Sequence, residues 1–449
     1  MSHGPSANEL KRRRRTAAKA VGADGVLILP AATEVIRNRD VHYPFRQHSD
    51  FYYMTGFPEP DAVAVIAPKH KDGEFVLFCR PRDPEREQWD GQRQGVDGAI
   101  ANFAANQAYP LEQLDEKLTE LLADRSRIYY PVGNDAKFDL AVMNWLRALR
   151  AKARAGVSAP SELILSDRVV HEQRLIKSKS EQQIMRQAAA ISAAGHRRLL
   201  QKCRPGMNEQ QLEALFLHAC TERGARFQAY SPIVGSGHNA CVLHYVDNNA
   251  VLHDGDLVLV DAGCELNGYA SDITRTFPVN GRFSPAQRAL YELVLVAQKS
   301  AINAVRPGNR WNAPHETALR VLTRGLLDLG FLQGDGRDLP TLLKEEKYKP
   351  YYMHRTGHWL GMDVHDVGDY KVDGKWRTFE PGMVLTVEPG LYVAPDADVP
   401  QHYRGIGIRI EDDVLVTNDG NQVLSRDAPK EIDQIERLMA RTHPQPEET

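Results

Sequence analysis

The second half of this 449-residue chain carries one order of sequence features twice, and that duplication narrows the available folds more than anything else in it. Arg204-Pro205-Gly206 precedes a helical pattern through Leu212, Leu215 and Phe216; Arg306-Pro307-Gly308 precedes one through Leu319, Val321 and Leu322. Ser236-Gly237-His238 then leads to His244, and Thr356-Gly357-His358 leads to His365. Finally, the apolar run Leu257-Val258-Leu259-Val260 ends in Asp261-Ala262-Gly263, and Met383-Val384-Leu385-Thr386-Val387 ends in Glu388-Pro389-Gly390. Each copy predicts a helix pair, a His-bearing strand and an apolar strand closing on a carboxylate. The expected architecture is a pair of α/β halves about a pseudo-twofold, with a site between them taking side chains from both.

The first half has a different texture. Short apolar runs at 26–29, 62–66 and 75–78 predict buried strands, and 111–122 and 137–150 predict helices, a mixed α/β (α+β) domain. Residues 151–159 look like a surface connection, and 169–197 predict one long linking helix. We therefore divide the chain into residues 1–174 and 175–449. Lys11-Arg12-Arg13-Arg14-Arg15 sits in a helical pattern and is expected to be a solvated face rather than a nuclear or nucleic-acid signal. Residues 443–449 are polar, contain proline and are expected to fray.

Composition bounds the partners. Lys+Arg number 56 against 59 Asp+Glu, a net charge of −3, so no basic excess points to nucleic acid. No apolar run approaches a membrane span, and no secretory signal is visible at the N-terminus. The five cysteines are scattered without a CxxC pair, which suits a reducing cytoplasm and argues against a thiolate zinc site.

The acids are placed unusually. Asn267-Gly268 is a strong two-residue hairpin turn. It sets Gly263 opposite Asp272, and Asp261 shares the face of Gly263 because side chains alternate. Asp261 and Asp272 are then diagonal neighbours, roughly 7–8 Å apart at the backbone. Two such carboxylates repel unless protonated or bridged by a cation. Pairing of Asp261 with Arg275 is the structural alternative. Glu388 also ends a buried strand, and Glu411 follows another, with Arg409 on its face as a possible simple ion pair. His354, His358 and His365 fall close together, although Arg355 rules out an HExxH pattern. Four carboxylates and one imidazole form an oxygen-rich set that favours Mn²⁺ or a similar divalent ion.

These strings resemble a known family. Val260-Asp261-Ala262-Gly263, Ser271-Asp272-Ile273-Thr274-Arg275-Thr276, His358-Trp359-Leu360-Gly361, Val387-Glu388-Pro389-Gly390 and Arg409-Ile410-Glu411-Asp412 resemble the pita-bread metallopeptidases, and among them the Xaa-Pro aminopeptidases (aminopeptidase P). Tyr43-Pro44-Phe45-Arg46-Gln47-His48-Ser49-Asp50-Phe51-Tyr52-Tyr53 is similar to that family's non-catalytic N-terminal domain. The resemblance implies two divalent metals, manganese by the donor set, held by Asp261, Asp272, His358, Glu388 and Glu411. It implies attack by a metal-bridging hydroxide on the carbonyl before proline, with Glu388 taking a proton from the nucleophile. His365 would steady the oxyanion, His354 and Arg409 would shape the proline side, and His244 would contact substrate. Tyr392 would lie near the metals, and Trp89 resembles a tryptophan that reaches a neighbouring subunit's site in a dimer or tetramer. Departures are His238, where relatives often carry Glu, and the Arg355-Thr356-Gly357 segment. Prolidase shares the ligands and is the close alternative; methionine aminopeptidase and a non-catalytic pita-bread binding protein are more distant ones.

Overall fold

The computed structural model describes residues 5–336 and 338–440. The tail expected to fray, 443–449, lies outside them. Two compact units divide the chain, one ending at Arg174 and the other beginning at Leu175. Among the described residues no helix is long and apolar enough to cross a membrane.

The N-terminal unit is built on a six-stranded mixed sheet, in the order 107–110, 75–79, 63–66, 25–30, 127–130, 162–165. The predicted apolar runs supply its centre: Gly25–Pro30 pairs antiparallel with Val63–Ile66 and parallel with Arg127–Tyr130. The helix Ala7–Val21 starts at Ser6, whose hydroxyl accepts the Glu9 N–H. The solvated-face reading of its arginines is wrong for two of them. Arg13 and Arg14 are buried, donate to the Tyr53 and Met54 carbonyls, and stack over Tyr53 and Phe75. Those carbonyls lie in the last turn of the helix Ser49–Thr55, where acceptors have no partner within their own helix. A run of arginines reads the same in sequence whether its forks reach water or such carbonyls.

The C-terminal unit shows the duplication directly. In its first half Ile233–Ser236, Leu257–Asp261 and Thr274–Pro278 form an antiparallel sheet in that order. In the second, Val384–Val387, Asp412–Val416 and Asn421–Val423 do the same. The extended segment 356–360 flanks Val384–Val387 through Glu388 N–H to Thr356 O (2.8 Å), Thr386 N–H to His358 O (2.9 Å) and Leu360 N–H to Val384 O (3.0 Å). It is the counterpart of Ile233–Ser236. His238 departs from the expected strand position; it lies in a 3₁₀ turn, Gly237–Cys241, just after the strand. Helix pairs Lys179–Lys202 with Glu209–Glu222, and Pro285–Ala304 with Ala313–Asp328, complete the halves.

The long linking helix expected over 169–197 is two helices, Asp167–Leu175 and Lys179–Lys202. Ser178 stops continuity: its hydroxyl caps the Glu181 N–H while the Glu181 carboxylate accepts the Ser178 N–H, a reciprocal capping box. Lys177 is pulled out of helix geometry as well. Its N–H donates to Gly382 O, and its ammonium, buried, meets Asp366 at 2.8 Å.

Candidate metal centre and active site

The hairpin register predicted from Asn267-Gly268 is the observed one. Both residues take positive φ, 52° and 79°, as a type I′ turn requires. Leu266 faces Tyr269 and Asp261 faces Thr274 along one continuous ladder. Gly263 lets the strands approach: a Cβ there would lie 1.7 Å from the Ser271 carbonyl oxygen. Asp261 and Asp272 consequently share a face, and the Tyr230 hydroxyl contacts both, 2.5 Å from one oxygen of each. The second half contributes symmetrically. Glu388 follows Val384–Val387 as Asp261 closes Leu257–Asp261, and Glu411 precedes Asp412–Val416. The halves lock where Glu411 N–H donates to Thr274 O (3.1 Å) and Thr274 Oγ1 donates to Glu411 Oε2 (2.7 Å).

Asp261, Asp272, Glu388, Glu411, His244, His354, His358, His365 and Arg409 all line one cavity of about 810 Å³. Ligand atoms of Asp272, His358 and Glu411 lie within 4.8 Å of one another. Nδ1 of His358 lies 3.0 Å from the Trp359 carbonyl, which can only accept, so that nitrogen carries the proton and Nε2 faces the carboxylates. It lies 3.4 Å from Asp272 and 3.7 Å from Glu388. Tyr392 stands behind this wall, its hydroxyl 2.9 Å from His354 Nε2 and 3.0 Å from Arg409 Nη1. Trp89, in the N-terminal unit, is 85% exposed on the helix Pro84–Asp90.

Two structural alternatives for the acids fail. Asp261 pairs with Arg409 (2.7 Å), not with Arg275, which is committed to Asp412 (2.7 Å). Arg409 is therefore not the partner of Glu411, whose near donor is Thr274. Among the described residues Arg409 pairs with Asp261 and His358 with Asp272 and Glu388, while His354 Nδ1 lies 3.8 Å from Glu388, so the four acids outnumber their close cations.

The electrostatics follow from that imbalance. Burial, then Asp272, Glu388 and Asp261, push Glu411 well above the usual carboxylate range. Burial also lifts Glu388, to about 7, against the pull of His358 and Arg409. Burial alone would lower His358, but Asp272 and Glu388 outweigh it and hold the imidazolium up to about 9. Burial and Arg409 push His354 down to about 3, so it is a neutral ring. Buried acids that raise one another and hold a proton on an inward-facing imidazole are a donor set suited to a divalent cation. The residues present fit such an ion.

Tyr230 and Thr274 had escaped the sequence reading. Thr274 could have been found, because it stands two residues from Asp272 on a strand and so shares its face. Nothing in Ala229-Tyr230-Ser231 marks Tyr230.

The fold and site define a metallopeptidase, and the comparisons agree. The chain belongs to metallopeptidase family M24, whose pattern matches residues 183–418, preceded by an aminopeptidase P N-terminal domain over residues 10–129. Its C-terminal unit is the pita-bread fold of that family. More particularly, it is 45% identical to Xaa-Pro aminopeptidase of Escherichia coli over 97% of this chain and 98% of the relative. It is 37% identical to human Xaa-Pro aminopeptidase 3, covering 93% of this chain and 81% of that one. The solved Pseudomonas aeruginosa aminopeptidase PepP superposes with a TM-score of 0.96 at 51% identity, covering 98% and 99% of the two chains. A zinc-substituted E. coli aminopeptidase P in complex with product gives 0.94 at 44% identity, covering 98% and 99%.

Proposed function

We propose that this chain is a metal-dependent exopeptidase that removes the N-terminal residue from peptides carrying proline at the second position. The observation that carries this reading is the single cavity in which acids from both halves of an M24 fold converge around His358. Asp261, Asp272, His358, Glu388 and Glu411 would hold two divalent ions, Mn²⁺ by the hardness of the donors. When bound, such ions supply a water of lowered pKa near neutrality.

The chain's own residues do the rest. Glu388, which follows the strand Val384–Val387 and lines the cavity, accepts a proton from the nucleophilic water. His365, edge-on to His358 at 4.2 Å between ring centroids, donates to the carbonyl oxygen as it gains charge. The carbonyl carbon gains the hydroxyl, the C–N bond to proline breaks, and the proline nitrogen leaves with the proton that Glu388 accepted. The chain His354–Tyr392–Arg409–Asp261 ties the proline side of the pocket to a metal ligand, and His244, which lines the same cavity, contacts substrate. Proline has no N–H to recognise, so ring and imidazole faces select it by shape.

Prolidase action is disfavoured because the chain carries a full aminopeptidase P N-terminal domain and matches named Xaa-Pro aminopeptidases along nearly its whole length. The protein is proposed to work in the cytoplasm with its cysteines free, as a dimer or tetramer in which exposed Trp89 meets a neighbouring copy's site. The test is hydrolysis of Ala-Pro against Ala-Pro-Ala after chelation and reloading with Mn²⁺. Mn²⁺-dependent cleavage of the tripeptide, lost in Asp272→Ala with the fold retained, is expected. Cleavage of the dipeptide alone, or wild-type rates in the variant, would overturn the assignment.

A further inference from the structure

The acids of the cavity lie on its buried floor, whereas its exposed rim carries the opposite charge. Arg355 and Trp376 both line the cavity. The Arg355 guanidinium lies 5.5 Å from the Trp376 ring centroid and the Lys371 ammonium 4.4 Å from it. Lys371 and Trp376 face each other across a short hairpin, which fixes the aromatic platform. Each cation is attracted to the indole face, but two like charges on one ring repel. Among the described residues neither makes an ion pair with a carboxylate. Such a pair is relieved by an anion, and Arg355 offers a planar fork matched to a carboxylate.

The direction of a bound peptide follows from charge. If the proposed reaction is right, on which this inference rests, the free amine is drawn to the acidic floor. The scissile carbonyl belongs to the same residue as that amine, so the chain beyond proline must run toward the exposed rim. We propose that Arg355, braced on Trp376 beside Lys371, binds a carboxylate of the substrate on the far side of proline. The enzyme therefore prefers peptides with an acidic group at the third residue. That group is either the C-terminal carboxylate of a tripeptide or an acidic side chain in a longer peptide.

The experiment compares kcat/KM for Ala-Pro-Gly with its C-terminal amide, and for Ala-Pro-Glu-amide with Ala-Pro-Gln-amide, on the Mn²⁺-loaded enzyme. A partly exposed charge pair is worth about fivefold. The acid of each pair is expected to lead by that factor, through KM, and the lead to shrink at about 0.5 M salt. In Arg355→Gln the ratio falls to near one; Arg355→Lys keeps part of it, and Lys371→Gln loses part. A response in the first pair alone assigns the terminal carboxylate; a response in both assigns any carboxylate at that reach. Equal rates within both pairs, or a ratio that survives Arg355→Gln, overturn the inference while leaving the reaction intact. Failure to cleave all four peptides overturns the reaction and the inference together.

Discussion

Arg275 offers a test of how the buried charges of the catalytic unit support the metal centre. Its side chain is 1% exposed and that of its partner Asp412 is 0% exposed, with Nη2 2.7 Å from Oδ1. The same fork donates to the carbonyls of Thr274 (2.8 Å), Glu411 (2.5 Å), Ala428 (2.9 Å) and Pro429 (3.0 Å). Burial alone would raise Asp412, but Arg275 and Lys430 outweigh it and hold its carboxyl well below the usual range. Arg275→Met keeps much of the stem's packing and removes every one of these donors. Breaking a buried pair from one side costs about 3–5 kcal/mol. Lys430, 2.5 Å from the other Asp412 oxygen, keeps the remaining charge partnered and moves the cost to the lower end. The stranded carbonyls move it back up. A loss of about 3–4 kcal/mol, or roughly 10 °C in Tm for a unit of this size, is expected. Thermal unfolding followed by circular dichroism, in chelator so that metal binding does not contribute, measures it. Arg275→Lys, which restores charge without the fork, should lie between. A fall of less than about 3 °C, or a lysine variant no better than the methionine one, would refute the reasoning.

Chelation of the loaded wild-type enzyme should lower stability, because a ligand held by the folded state alone at about 100 times its Kd contributes ~2.7 kcal/mol; in Asp272→Ala, chelator should leave Tm unmoved. Gly263→Ala, with its new Cβ 1.7 Å from the Ser271 oxygen, must part the strands carrying Asp261 and Asp272. It is expected to cost ~1–3 kcal/mol and to weaken Mn²⁺ binding in a titration. In the N-terminal unit, burial would raise Asp50, but His171 and Arg174 hold it below its ordinary 3.8, while Asp50 raises His171 above its ordinary 6.5 against burial. The depressed acid stabilises above its unfolded value and loses that contribution as pH falls; the raised imidazole stabilises fully below 6.5 and loses it as pH rises through its folded value. The pair therefore contributes most between about pH 4 and 6.5, and urea midpoints should decline above that window less steeply in His171→Asn.

What the sequence made legible is what repeats or alternates. The duplicated order of motifs anticipated two matching sheets, and Asn267-Gly268 fixed a register from which the juxtaposition of Asp261 and Asp272 follows by counting. Such inferences succeed because period and turn chemistry are local. Partner choice is not local. Arg409 stands two residues from Glu411 and Arg275 three from Asp272 in the same short strings, and each pairs elsewhere: Arg409 with Asp261, Arg275 with Asp412. Arg13 and Arg14 turn inward for the same reason, since acceptors some forty residues away compete with water for their donors. The break at Ser178 was visible in principle, because Ser178-Glu181 is a capping pair, although the stretch holds few helix breakers.

These errors share a cause that bears on the site. In a sheet built twice about a pseudo-twofold, each acid near the axis has candidate cations from both halves, and only packing decides among them. With Arg275 drawn to Asp412, the close partners left for the four cavity carboxylates are one guanidinium, Arg409, and the imidazoles of His358 and His354, the latter a neutral ring. Supplying further arginines there would satisfy charge but fill the cavity, and each would add its own desolvation penalty. A divalent cation brings two charges in the space of one atom and leaves coordination positions open to substrate. The loss of Arg275 from the floor is thus part of what makes the site a metal site. Its commitment to Asp412 also steadies the Glu411 backbone from behind, so the stability and the metal affinity of Arg275→Met should fall together.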